Sequence, residues 1–139
     1  MRFIDASVFV YAYLRPQKKL SPDLMRSKNN ARKIVGRIIS GEETVTSVVH
    51  ISEIANILEA RMPLQESLDL ISGLFDLLNL QVLYPNRNLY QSAIQQARSS
   101  NIGANDALAG VLMSDLRIRE IYSFDTDFDR IEGINRIIE

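Results

Sequence analysis

The chain has 139 residues, 46% hydrophobic and 24% charged, with a net charge of −1, the size and balance of one globular domain with a sizeable core. It has no cysteine and a single histidine, His50; this excludes disulfides, zinc–thiolate centres and thiol nucleophiles and leaves carboxylates, hydroxyls, amides, Lys and Arg for any chemistry. No apolar run approaches the ~20 residues of a membrane span and no secretory leader pattern opens the chain, so a cytoplasmic protein without membrane contact is expected.

Residues 2–5 read as a strand and 6–14 as a helix, ended at Arg15-Pro16 because proline disfavours helix at the residue before it. Asp5 stands between the two, with the Ser7 hydroxyl two residues on. A helix cap accounts for such an acid, and so does the ligand crevice beyond the strand ends of an open α/β sheet. Residues 15–37 carry Arg15, Lys18, Lys19, Arg26, Lys28, Arg32, Lys33 and Arg37 against one acid, Asp23. This run reads either as a solvated face or as a phosphate-facing patch. Lys18, Lys19, Lys28, Arg32 and Lys33 are the candidates for the second reading.

A helix over 23–40 closes at Gly41, and 43–46 form a short strand. Ser47 is a natural N-cap for a helix over 48–61, which Met62-Pro63 stops. Within it Glu53 has Val49 and Ile57 at ±4, a mostly apolar strip. A carboxylate there is costly to bury unpaired; a half-exposed edge position is the plainer account. A helix over 64–78 (Leu68, Ile71, Leu74, Phe75, Leu78), a strand over 80–84 ended by Pro85, and an amphipathic helix over 87–100 follow.

At Gly103 the sequence changes character. Asp106 opens a helix with Ala109 and Gly110 at +3 and +4, small residues that let a backbone or ligand approach; capping alone also explains this acid. A strand over 119–123 leads into Phe124-Asp125-Thr126-Asp127-Phe128-Asp129, and 134–138 form a last strand. The order β-α-α-β-α-α-β-α-α-β-turn-β implies one α/β domain over 1–139, with a central, mostly parallel sheet flanked by helices on both faces.

Such a sheet gathers residues from several strand ends. If Asp5, Glu53, Asp106 and Asp125 converge, they require protonation or a cation, since two unit charges ~4 Å apart repel by roughly 4 kcal/mol at an effective dielectric of ~20. All-oxygen ligands select a hard ion, Mg²⁺ or Mn²⁺.

The ordered set Phe3-Ile4-Asp5-Ala6-Ser7, Ser47 with Glu53 six residues on, Asn105-Asp106-Ala107 and Ser123-Phe124-Asp125-Thr126-Asp127-Phe128 resembles the PIN domain, the nuclease fold shared by VapC-type toxins and several RNA-processing enzymes. Ser123 stands where that family often has Thr, and keeps the hydroxyl. The resemblance implies that Asp5, Glu53, Asp106 and Asp125 are catalytic and hold one or two Mg²⁺ or Mn²⁺. Ser7 and Ser123 would support them, with Asp127 an extra acid; Asp129 reads as a surface acid, and His50 as structural or exposed. It further implies an endoribonuclease that leaves 5′-phosphate and 3′-hydroxyl ends, acting as the toxin of a VapBC-type pair. Its partners would be RNA, an antitoxin that brings Arg or Lys into the acidic cleft, and a second copy in a homodimer. The alternatives are a PIN nuclease of RNA processing or quality control, and a receiver- or phosphatase-like Mg-dependent phosphoryl-transfer domain. Against the latter, the first strand gives Asp5-Ala6-Ser7 and no Asp-x-Asp.

Overall fold

Short apolar strands alternate with longer amphipathic helices along the whole chain in the computed structural model, which describes residues 1–139. In order these are β1 (Arg2–Ile4), α1 (Ala6–Tyr13), α2 (Pro22–Ile39), β2 (Thr44–Ser47), α3 (Val48–Arg61), α4 (Leu64–Phe75), β3 (Leu80–Leu83), α5 (Arg87–Ser100), α6 (Ala104–Asp115), β4 (Glu120–Tyr122), a 3-10 helix (Thr126–Arg130) and β5 (Asn135–Ile137). This is the expected sequence of elements. The five strands form one sheet in the order β3-β2-β1-β4-β5, and every neighbouring pair is parallel.

Parallel strands are covered on both faces, so their residues are apolar on both sides of the pleat. Phe3 and Ile4 show the alternation. Phe3 packs with Val45, Ile121, Leu108 and Phe128 in the core beneath α5 and α6. Ile4 packs with Phe9, Ile34, Ile38, Ile54 and Tyr122 in the core beneath α1 to α4. The chain steps outward from β1 to β2 and β3, then returns to place β4 and β5 on the other side of β1. The crevice between the C-terminal ends of β1 and β4 is therefore the topological switch point, where open α/β sheets hold their ligands. Asp5 N donates to Tyr122 O at 3.0 Å and carries the ladder one residue beyond β1.

Two expectations are corrected. The helix over 64–78 ends at Phe75: Asp76 N and Leu77 N turn back to Gly73 O and Leu74 O, and Leu78 is fully exposed. Its buried row is Ser67 and Leu74 with Leu70 and Ile71 partly covered, while Leu64, Leu68 and Phe75 face outward. Second, Lys28 is not an exposed cation of the basic run. It is only 7% exposed and lies on the buried α2 row with Ala31, Val35 and Ile38. Its Nζ donates to Tyr11 O at 2.8 Å and to Leu14 O. These carbonyls belong to the unsatisfied last turn of α1, and a cation there also opposes the helix dipole. Lys18, Lys19, Arg32 and Lys33 remain exposed.

Lys28→Met keeps the apolar stem and strands these carbonyls, so it should destabilise the protein by about 1–3 kcal/mol in chemical denaturation. Lys33→Met on the exposed face of the same helix should stay within about 0.5 kcal/mol.

Candidate metal centre

The switch point delivers three of the four predicted acids through helix beginnings. Asp5 is the N-cap of α1, and Asp125 is the N-cap of the 3-10 helix, with its Oδ1 accepting from Asp127 N at 2.9 Å. Asp106 lies in the first turn of α6. Glu53 reaches in from the middle of α3. All four line one groove of about 1250 Å³ that runs along α1 and α3.

Asp5 is the most firmly held. Its Oδ2 accepts from Ser7 Oγ at 2.7 Å, Ser123 Oγ at 2.8 Å and Ser7 N at 3.4 Å. Each serine is fixed in turn: Ser7 Oγ accepts from Phe124 N and Ser123 Oγ from Asp125 N, both at 3.0 Å. The two predicted supporting hydroxyls thus tie the loop after β4 to the acid after β1. Asp5 is both a helix cap and a member of the cluster.

Asp106 is different. The N-cap position of α6 is Gly103, no side chain caps this helix, and the Asp106 carboxylate takes no hydrogen bond, so capping does not account for it. Ligand oxygens of Asp106, Asp125 and Asp127 lie within 4.8 Å of one another. Burial first, then the charges of Asp125, Asp5, Glu53 and Asp127, push its pKa up from 3.8 to about 7. Asp127 also meets Arg130 at 3.7 Å, which puts it at the rim. Asp129 is exposed and pairs with Arg136 at 3.0 Å.

His50 and Glu53 lie in one ligand-spaced group with Asp5, but the imidazole is spent elsewhere. Nε2 lies 3.1 Å from Asn105 O and Nδ1 lies 2.6 Å from Ser47 Oγ. A carbonyl can only accept, so Nε2 carries the proton and Nδ1 accepts from the Ser47 hydroxyl. Burial holds the His50 pKa below its ordinary range against the pull of Asp5 and Glu53. The histidine is structural. Sequence reasoning missed the role of Asn105, whose Nδ2 donates to Glu53 Oε1 at 2.7 Å, and of Tyr90, whose hydroxyl donates to Asn105 Oδ1 at 2.6 Å. It missed Arg61 as well, which lines the groove with Arg15 and Lys18.

The donor set suits a hard divalent cation: converging carboxylates, one of them without a hydrogen bond and holding a proton to near neutrality, and no sulfur or free imidazole. The family model of the PIN domain matches residues 2–134. The chain belongs to the PIN-domain family. Its fold is shared with a solved structure of the VapC20 toxin of Mycobacterium tuberculosis, described as Sarcin-Ricin loop cleaving, at a TM-score of 0.75 and 15% identity over 93% of each chain. At that identity the likeness is one of fold. No curated protein matches the sequence. Membership of the PIN family displaces the receiver- or phosphatase-like alternative.

Asp106 gives a pH signature. The folded chain holds a proton on it up to about pH 7, whereas an unfolded Asp releases it near 3.8. Between these values the folded state binds more protons, so metal-free stability falls as pH rises from about 4 to about 7. Buried His50 acts in the opposite sense, losing stability as pH falls below its ordinary range, so the comparison is made between proteins. The difference in melting temperature between Asp106→Asn and wild type in EDTA should grow over that window, with the variant higher at pH 7. Mn²⁺ should raise the variant's melting temperature less than the wild type's. Equal gains would remove Asp106 from the metal site.

Proposed function

We propose that this PIN domain is an endoribonuclease that hydrolyses RNA phosphodiester bonds with Mg²⁺ or Mn²⁺, leaving 5′-phosphate and 3′-hydroxyl ends, and that it acts as the toxin of a VapBC-type pair. The observation that carries this reading is that Asp5, Glu53, Asp106 and Asp125 line one groove and that the charges of the other three act on Asp106. A divalent ion bound there supplies an acidified water and charge stabilisation for the phosphate in flight. Asp5, Glu53, Asp106 and Asp125 would hold it, Ser7 and Ser123 keep Asp5 aimed, and Asp127 adds negative charge at the rim. Arg15, Lys18 and Arg61 along the same groove offer cations to the backbone phosphates flanking the scissile bond; Lys19, Arg32 and Lys33 extend the basic surface beyond it. The Sarcin-Ricin loop named as the target of the VapC20 toxin supports a looped substrate here.

The same groove suits an antitoxin segment. Its walls carry Val10, Leu14, Leu20 and Ile57, and its floor is acidic, so an apolar peptide that ends in Arg or Lys would fill both parts. Leu64, Leu68 and Phe75 form an outward apolar stripe on α4, 55%, 41% and 52% exposed, which supports self-association as a homodimer. A strictly monomeric protein in light scattering at tens of micromolar (about the range where weak dimers form) would oppose that part.

The purified protein should cleave looped RNA in Mg²⁺ or Mn²⁺ and stop in EDTA. Asp5→Asn and Asp106→Asn should each lose more than the about 10–100-fold typical of outer-sphere changes while remaining folded. Robust cleavage in excess EDTA would overturn the metal-dependent reading. Replacing Lys18 and Arg61 by Gln should weaken RNA binding and reduce the slope of log affinity against log salt by about 1.4, some 0.7 per lost phosphate contact on a single strand. An unchanged slope would mean that those side chains face solvent only.

A further inference from the structure

Glu53 is the least constrained of the four acids by its place in the chain. Asp5, Asp106 and Asp125 are short side chains fixed at helix beginnings, whereas Glu53 sits in mid-helix on a side chain with one more rotor. On its α5 and α6 side there is no packed wall but a cleft of about 260 Å³, lined by Glu53, Tyr90, Gly103, Ala104, Asn105 and Asp106. Packing therefore leaves its carboxylate free to swing. One hydrogen bond holds it, from Asn105 Nδ2 to Oε1 at 2.7 Å.

Asn105 is itself immobilised from two directions. Its Oδ1 accepts from the Tyr90 hydroxyl at 2.6 Å, and its backbone carbonyl lies 3.1 Å from His50 Nε2. The orientation of the amide follows from chemistry: an ionised carboxylate only accepts, so Nδ2 faces Glu53 and Oδ1 faces Tyr90. The amide is also suited to the task by its neutrality. It engages one carboxylate oxygen, leaves the other free, and leaves the negative charge intact. A Lys or Arg in its place would neutralise that charge and compete with a cation.

We propose that Asn105 is the positioning residue for Glu53, anchored by Tyr90, and that the chain Tyr90–Asn105–Glu53 turns the carboxylate toward the cation held by the cluster. The inference rests on the reading of the cluster as a metal centre. Outer partners of metal ligands act in this way, and their loss costs about 10–100-fold in metal affinity or activity.

The test is calorimetric titration of the full chain with Mn²⁺ alone, alongside melting in EDTA to check the fold. Asn105→Ala should weaken Mn²⁺ binding at least about 10-fold, and Tyr90→Phe, which keeps the ring and removes only the hydroxyl, should weaken it less. If Asn105→Ala does not fold, Tyr90→Phe carries the test. In a Glu53→Ala background, where there is no carboxylate left to turn, adding Asn105→Ala should leave the Mn²⁺ Kd unchanged. A merely structural role for Asn105 predicts instead the same loss in both backgrounds, and that result would overturn the proposal. So would a wild-type Kd in every folded variant of Asn105 and Tyr90. A wild-type chain that binds no Mn²⁺ would fail the metal reading itself and take this inference with it.

Discussion

Mutual repulsion among four carboxylates at the C-terminal edge of a parallel sheet governs the structure around them. A pair ~4 Å apart repels by roughly 4 kcal/mol at an effective dielectric of ~20, whereas a helix N-terminus offers an anion about 0.3–1 kcal/mol at an exposed position. Helix beginnings at Asp5, Asp106 and Asp125 therefore soften the cluster without neutralising it. The acids also differ in their hydrogen bonds. Asp5 is saturated on one oxygen by two hydroxyls and a peptide N–H, Asp125 accepts one peptide N–H, and Asp106 accepts none. Burial first, and then the charges of its neighbours, push the pKa of this unbonded carboxyl up to about 7.

The only histidine illustrates how closely this end of the molecule is committed. An imidazole beside two carboxylates is an obvious ligand or base, yet its Nδ1 is taken by Ser47 and its Nε2 by Asn105 O, and Phe3 meets the ring edge-on at a centroid distance of 5.1 Å. His50 therefore joins the start of α3 to the start of α6. That link runs from the helical turn before Glu53 to the residue before Asp106. A free imidazole in the same place would draw softer metals; a locked, neutral one leaves an all-oxygen donor set.

Much of this was legible in the sequence, and the parts that were not share a cause. Local signals carried the element order: proline after Arg15 and Met62, Ser47 as a cap, apolar runs for β1 and β3. The acids at strand ends followed from that order, because a parallel sheet turns sequence position into a place along its edge. Lys28 belongs by composition to a charge run, but its position on the row with Ala31, Val35 and Ile38 is a local signal of burial that runs against that composition. The apolar spacing of α4 continues to Leu78, beyond Phe75 where the helix and its packing stop. The Tyr90–Asn105–Glu53 chain had no such signal. Its two links span 15 and 52 residues, and neither spacing is a period of any helix or strand.

The groove also has to reconcile two opposite demands. On the proposed function, a substrate polyanion must approach carboxylates that repel it, in a chain whose net charge of −1 provides no overall attraction. Screening limits help from afar, since the Debye length is about 8 Å at physiological ionic strength, so attraction has to come from cations in the groove itself. Arg15, Lys18 and Arg61 line it together with the acids. On the proposed reading they are not sufficient alone: a bound divalent cation turns the floor from repelling to attracting a phosphate, so the affinities for cation and RNA are coupled. Coupling between two ligands is reciprocal. RNA in the groove would then tighten the hold on the cation by the same factor by which the cation tightens the hold on RNA, and the acid cluster would be assembled in its working charge state chiefly when substrate is present.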